Sequence, residues 1–214
     1  MRIWSDSFRN GGSIPAEFAF ATMDAETRVR LSGNRNPHLA WSDVPAGTES
    51  LALLCMDGDA LQDASDVNQP DRSLAVELPR SDFFHWSLVD IPVQQSAIAA
   101  GALSSGVTAR GKADGAASPM RQGINDYSSW FSADAAMAGD YYGYDGPCPP
   151  WNDLRLHHYI FRIYALDLPH LELPARFSGP DVCAAIHGHI IDEAQLIGTY
   201  TLNPSLDRSN DKIA

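Results

Sequence analysis

The segment from Tyr141 to Tyr159, YYGYDGPCPPWNDLRLHHY, constrains this chain more than any other part of its sequence. Glycine permits backbone conformations that are closed to other residues, whereas proline fixes φ and donates no amide hydrogen bond. The two glycines and three prolines of this segment therefore predict a rigid, sharply bent loop. The apolar, aromatic and β-branched residues of 157–166 predict a strand, so we expect the loop to enter a sheet where its histidines lie.

Other apolar runs bounded by turn-forming residues predict further strands, at 26–31, 50–56, 74–78 and 83–92. One helix is predicted over 178–196, because Ser178 can cap it, Pro180 suits its first turn and apolar residues then recur near helical spacing. The run IGTYTL at 197–202 predicts a last short strand after this helix. Several strands before one late helix favour a mainly antiparallel β architecture.

The size and net charge of the chain argue against a nucleic-acid-binding protein and against a membrane-spanning one. The chain has 214 residues and a formal net charge of −12, with no basic run that would favour nucleic acid and no apolar run long enough to cross a bilayer. We expect a single domain over 1–214, with a flexible or lid-like excursion at about 93–142 and a loose tail at about 203–214. The start of the sequence shows no secretory signal, and three cysteines cannot complete a set of disulfides, so a cytoplasmic location is predicted.

Two positions outside the opening segment attract attention as candidate site residues. Asp57 follows the apolar run 50–56, where a carboxylate can project into a cleft, although an aspartate that caps its own turn would look the same. His85 lies alone within the strand predicted at 83–92, and for an isolated case a core histidine bonded to a backbone carbonyl is the simpler interpretation.

Taken together, these fragments resemble one protein family. The order NPHLAWSDVPAGTESLAL, an acid pair, FFHWSLVDIP, GINDY, YDGPCPPWND, HHYIFRIYALD and GHIIDEAQLIGTY is similar to that of the phosphatidylethanolamine-binding protein family, and especially of its bacterial branch. The resemblance covers about residues 18–200. The combination is specific, although each fragment alone would be a weak signal.

The resemblance implies two packed antiparallel sheets with Greek-key-like connections, with a C-terminal helix and a small pocket near one end. Family pockets bind phosphate-like or carboxylate anions and phospholipid head groups. The matching positions in this chain are Asp57, His85, Tyr144, Gly146, Cys148, Pro149, Pro150, His157 and Tyr159.

These residues could together hold a small anion or a zwitterion. Amide groups near Gly146 and Cys148 could form an anion nest, and a protonated histidine could add charge-assisted donors. Asp57 could orient an imidazole or accept from an ammonium group.

The family usually has Asp-Pro-Asp-Ala-Pro where this chain has DGDAL at 57–61, which predicts a more flexible loop there. The segment 120–142 is longer than bacterial relatives require, and SSWFSADAAMAGDYY within it could form a lid or a dimer contact.

The favoured function is therefore non-enzymatic binding of a small anionic or phospho-ligand, with no cofactor. One alternative is a hydrolase or isomerase that uses an Asp–His acid–base pair, and another is a protein inhibitor of a kinase or protease. No metal site is predicted, because His157 and His158 point to opposite faces of a strand and His187 and His189 diverge on a helix. A homodimer and the identity of any protein partner are left open.

Overall fold

A five-stranded antiparallel sheet forms the centre of the computed structural model, which describes residues 1–206. In spatial order its strands are β10 (Ile190–Tyr200), β9 (His157–Leu166), β5 (Ser50–Leu61), β6 (Arg80–Ile91) and β8 (Arg121–Gln122). The central strand β5 is paired on both sides, with β9 and β6. Side chains at the end of β5 therefore lie next to side chains of both β9 and β6.

The residues of β5 are buried on both faces of this sheet. Leu51 and Leu53 belong to the larger hydrophobic core, whereas Ala52 and Leu54 belong to a second cluster on the opposite face. Alternate side chains of a strand point to opposite faces, so a strand covered on both sides must be apolar throughout. This explains why the run SLALLCM shows no polar alternation.

Two smaller antiparallel sheets complete the strand content. One contains β1 (Arg2–Trp4), β4 (Leu39–Ser42) and β7 (Ala97–Ile98), and the other is the hairpin of β2 (Ala21–Asp24) and β3 (Arg28–Leu31). Leu39, Trp41 and Ile98 share the larger core with the five-stranded sheet. The prediction of a mainly β chain built from antiparallel sheets, with a helix near its C-terminus, is confirmed.

The predicted helix over 178–196 is wrong in its second half. Helix α2 (Gly179–Ile186) begins with a capping box between Ser178 and Asp181, but it ends at Ile186. Gly188 then adopts a φ of +87°, which breaks the right-handed path, and the chain continues as β10. Pairing along nearly the whole of β9 outweighs the helical spacing of the apolar residues in this segment.

Other local predictions also change. The 57–61 segment is not a flexible loop but the end of β5, with an irregular register opposite β6. No strand forms at 74–78, where Leu74 makes only an isolated bridge to Asp153. The 93–142 segment contains β7, β8 and a short helix, α1 (Tyr127–Trp130). Of the tail predicted at 203–214, residues 207–214 lie outside the described part of the chain.

No helix within residues 1–206 combines the length and the apolar character that crossing a bilayer requires.

Candidate ligand-binding site

A cavity of about 330 Å³ opens at one end of the five-stranded sheet. Seven of the nine predicted site residues line it: Asp57, His85, Cys148, Pro149, Pro150, His157 and Tyr159. The other two, Tyr144 and Gly146, lie behind its wall. The volume is at the lower end of the range for small-molecule pockets, so it suits a ligand of a few heavy atoms.

Strand register brings the polar residues of this cavity together. Asp57 lies directly opposite Tyr159 of β9 on one side and opposite Phe83 of β6 on the other. Directly opposed residues of an antiparallel pair share a face, and so do residues two positions apart on one strand. His85 and His157 are each two positions from one of these partners, and both side chains therefore reach the cavity.

The imidazole of His157 lies between two carboxylates. Its Nδ1 is 2.6 Å from Asp57 Oδ2, and its Nε2 is 3.1 Å from Asp153 Oδ2. Burial by itself lowers the pKa of His157, but the hydrogen bonds to Asp153 and Asp57 outweigh it and raise the pKa to about 9. His157 is thus an imidazolium at neutral pH, and both of its N–H groups donate to protein carboxylates.

Asp153 connects His157 to a second cation, Arg80, which does not line the cavity. Its carboxylate accepts two hydrogen bonds from the Arg80 guanidinium, at 2.6 and 3.1 Å. Burial acts to raise the pKa of Asp153, but the bonds from His157 and Arg80 prevail and lower it to about 2. Two carboxylates therefore face two cations, and the group as a whole is neutral.

His85 meets the protein through one ring nitrogen only. Its Nδ1 is 2.8 Å from the carbonyl oxygen of Asp145, and the side chain is 3 % exposed. Burial lowers the pKa of His85, and the nearby Asp57 charge and the Asp145 carbonyl offset this only in part. The carbonyl contact is what the simpler interpretation of this residue predicts, yet the ring also lines the cavity.

Two further residues of the cavity wall carry polar groups, the hydroxyl of Tyr159 and the thiol of Cys148. Tyr159 is 1 % exposed, and its hydroxyl has no partner at hydrogen-bond geometry within residues 1–206. Burial and then the neighbouring Asp57 carboxylate raise the pKa of this hydroxyl, so it stays protonated. Burial raises the pKa of the Cys148 thiol to about 12, so the sulfur stays protonated and is a poor nucleophile.

Tyr144 and Gly146 support the cavity from behind. The Tyr144 hydroxyl donates to the carbonyl oxygen of Phe18 at 2.6 Å. The Gly146 amide, predicted to form part of an anion nest, donates instead to Asn34 Oδ1 at 2.8 Å, and its carbonyl accepts from the Tyr127 hydroxyl. Both residues have their polar groups occupied by the protein.

Gly146 is also a position where only glycine fits. A Cβ atom there would lie 2.1 Å from the Phe18 carbonyl oxygen and 2.9 Å from Ala19 Cα, and both of these are backbone atoms. We expect Gly146→Ala to lower the free energy of unfolding by about 1–3 kcal/mol in urea denaturation, since the two segments must separate. The control is Gly115→Ala, whose Cβ meets nothing within 4 Å and should cost less than about 0.5 kcal/mol. Equal midpoints for the two variants would contradict the close packing.

Apolar side chains form the rest of the lining. They come from the β2–β3 hairpin and from the segment around α1, and include Val29, Leu31, Trp130 and Phe131. Leu31 and Trp130 are 60 % and 48 % exposed, so the apolar wall continues to the protein surface. The aromatic residues of SSWF lie within the segment for which the sequence predicted a lid or a dimer contact, whereas the hairpin was not predicted to take part.

Sequence reasoning also missed two buried acids that hold the site in place. Asp145 accepts from Asn34 Nδ2 at 2.6 Å and Asn125 Nδ2 at 2.7 Å, and it pairs with Lys112 at 3.2 Å. Asp153 bonds to His157, as described above. Both acids lie inside the opening segment, so their position among prolines and glycines was the available signal. Apart from His157, four positions after Asp153, their partners are distant in sequence and could not be identified.

The chain is similar to known proteins over nearly its whole length. A sequence model described as "Phosphatidylethanolamine-binding protein" matches residues 4–201. A protein of Methanothermobacter thermautotrophicus named "UPF0098 protein" is 31 % identical over 200 residues, which is 94 % of this chain and 98 % of the relative. The Escherichia coli protein "UPF0098 protein YbhB" is 27 % identical over 94 % of this chain and its own full length.

A solved structure leads to the same result. The crystal structure of Escherichia coli YbcL, described as a new member of the mammalian PEBP family, aligns with a TM-score of 0.67 at 25 % identity, covering 94 % of this chain and 97 % of YbcL. With the family's sequence pattern matched over nearly the whole length and its fold present, this chain belongs to the phosphatidylethanolamine-binding protein family.

Proposed function

We propose that the cavity binds the phosphate group, or a similar oxyanion, of a small phospho-ligand without chemical turnover. The observation that carries this proposal is the Tyr159 hydroxyl, a donor that is buried at the cavity and has no partner within the described residues. A buried polar group without a hydrogen bond costs about 1–3 kcal/mol. A ligand oxygen at this position would remove that cost.

The family description supports a phospho-ligand with an amino group. Phosphatidylethanolamine carries a phosphate and an ammonium group close together, and this cavity offers different partners for each. The phosphate would lie beside Tyr159 and His85, and the ammonium would have the Asp57 carboxylate as a neighbour. Phosphorylethanolamine is small enough for a cavity of this size and is therefore the probe of choice.

The chemistry of the wall favours binding over the alternative acid–base reaction. A general base needs a free nitrogen within reach of its substrate, and both nitrogens of His157 already bond to carboxylates. His85 keeps one free nitrogen, but its other nitrogen bonds to the Asp145 backbone carbonyl and not to the carboxylate of an Asp–His pair. The Cys148 thiol, with its pKa raised to about 12, lacks the thiolate character of a nucleophile.

Tyr159→Phe tests the proposal directly. We expect it to weaken the binding of phosphorylethanolamine about tenfold, because one hydrogen bond to a charged group is lost, as measured by isothermal titration calorimetry. The free energy of unfolding should stay the same or rise by up to about 1 kcal/mol, because the substitution removes a buried hydroxyl that has no partner. Loss of affinity together with retained stability separates a ligand contact from a structural role.

Tyr144→Phe is the matched control. It removes a hydroxyl that is equally buried but that donates to Phe18 and does not line the cavity. We expect a loss of about 1 kcal/mol in stability and an unchanged affinity for phosphorylethanolamine. Absence of binding to the wild-type protein, or equal affinities in wild type and Tyr159→Phe, would contradict the proposed function.

A further inference from the structure

The tautomer of His85 is fixed by its contact with Asp145. A backbone carbonyl oxygen can only accept a hydrogen bond, so Nδ1, 2.8 Å away, must carry a proton. The second nitrogen, Nε2, has no hydrogen-bond partner within residues 1–206 and is left to meet a ligand in the cavity. In the neutral ring this nitrogen is an acceptor, and it repels the lone pairs of an oxyanion.

The cationic side chains near the cavity are already paired with carboxylates of the protein. Both N–H groups of His157 are bonded to carboxylates, and Arg80 is bonded to one of the same acids, Asp153. Lys112 pairs with Asp145 behind the wall. Within the described residues that line the cavity, no cation is therefore free to balance an incoming negative charge.

The surroundings of His85 decide how it responds to an anion. Charged and titratable groups face it from each neighbouring element: Asp57 of β5, His157 and Tyr159 of β9, Tyr127 of α1, and Asp145 of the loop. Burial lowers the pKa of His85, so the ring of the free protein is neutral near pH 7. A bound anion adds a negative charge beside the ring, and this favours its protonated form.

We propose that the cavity takes up an oxyacid group together with one proton, which lies between a ligand oxygen and Nε2 of His85. This inference rests on the proposed function and specifies its chemistry. The proton arrives either on the ligand, as in a hydrogen phosphate or a carboxylic acid, or from solvent onto the ring. The preferred ligands are therefore weak oxyacids, which carry their own proton near neutral pH.

Sulfate is the sharpest probe, because it holds no proton in this pH range and only the protein can supply one. Linkage requires the logarithm of the association constant to change with pH by the number of protons taken up. For wild type titrated with sulfate at pH 6, 7 and 8, we expect the affinity to fall about tenfold per pH unit wherever His85 is neutral in the free protein and protonated in the complex. Inorganic phosphate, titrated alongside, brings this proton itself as hydrogen phosphate, so its affinity should not show the tenfold fall between pH 7 and 8.

His85→Gln is the matched variant. The glutamine amide donates a hydrogen bond without titrating, so we expect sulfate to bind with an affinity that no longer depends on pH between 6 and 8. If this variant does not fold, calorimetry of the wild-type protein in two buffers of different ionisation enthalpy at one pH counts the proton directly. One proton per bound sulfate is the expected result.

The outcomes distinguish this inference from the function on which it rests. Sulfate binding that is independent of pH in wild type, or a slope that persists in His85→Gln, would overturn the proton coupling while the cavity remained an anion site. Failure of phosphate, phosphorylethanolamine and sulfate to bind at any pH would overturn both proposals.

Discussion

Replacing Asp145 by alanine is expected to lower the free energy of unfolding by about 3–5 kcal/mol. The Asp145 side chain is 1 % exposed and compensates the charge of Lys112, which is itself 15 % exposed. It also accepts hydrogen bonds from the side chains of Asn34 and Asn125. The substitution leaves the buried Lys112 cation without a counter-charge and removes one acceptor from each of two buried amides, which keep only their bonds to backbone carbonyls. The cost of an uncompensated buried charge exceeds the value of the contacts themselves.

Urea denaturation measures this effect, and an exposed ion pair provides the control. Asp140 pairs with Arg176 at 2.9 Å, and both side chains are largely in solvent. Solvent screens such a pair, so Asp140→Ala should change stability by only about 0.2–1 kcal/mol. A similar small loss in both variants would mean that the Asp145 network contributes no more than a surface contact.

Burial lowers the pKa of Lys112, so part of the loss in Asp145→Ala should be recovered at alkaline pH, where the lysine becomes neutral.

Most strands that could be predicted from the sequence are long and largely buried, although the exposed β3 also falls within the predicted run 26–31. The runs 50–56 and 83–92 fall within β5 and β6, and 157–166 is β9 itself. Within β10, residues 190–196 were assigned to a helix, because this edge strand is half exposed and its apolar residues also fit a helical spacing, whereas 197–200 fall in the predicted strand 197–202. The choice depended on pairing with β9, a long-range interaction that local periodicity does not contain.

The site shows the same division between local and long-range information. Asp57, His85 and His157 could be proposed because they flank strands and because the sequence resembles a known family. Their roles could not be derived in the same way. That both nitrogens of His157 are occupied depends on Asp57, 100 positions away, as well as on the nearby Asp153. The tautomer of His85 depends on a carbonyl 60 positions away. Charge balance in a pocket follows from three-dimensional contacts, which a list of residue types does not determine.

The buried imidazolium of His157 is expected to make the stability of the protein fall by about 3 kcal/mol as the pH rises from about 6.5 to about 9. The folded-state pKa of about 9 lies above the value of about 6.5 expected for an unfolded chain, so the folded state binds the extra proton in this interval. The contribution is complete below the unfolded value and disappears as the pH passes the folded value. Its sources are the hydrogen bonds to Asp153 and Asp57.

Two other groups define the window in which this effect can be measured. Asp153 has its folded-state pKa lowered to about 2, so its contribution is present above about pH 4 and is lost only in strong acid. His85 has its pKa lowered by burial, so its contribution is lost as the pH falls below about 6.5, on the acid side of the window. The fall between pH 6.5 and 9 can therefore be separated from both.

His157→Gln isolates the histidine contribution, because glutamine can donate to one carboxylate but does not titrate. We expect urea denaturation at pH 6.5, 7.5, 8.5 and 9 to give a stability difference between wild type and variant that is largest at the lowest pH and shrinks as the pH rises. Titration of the His157 ring shifts by NMR should give an inflection near pH 9 in the wild-type protein. A constant stability difference, or an inflection near 6.5, would show that the ring is neutral between the two acids. The cavity would then carry one net negative charge more at neutral pH, and an oxyanion would require a second proton in order to bind.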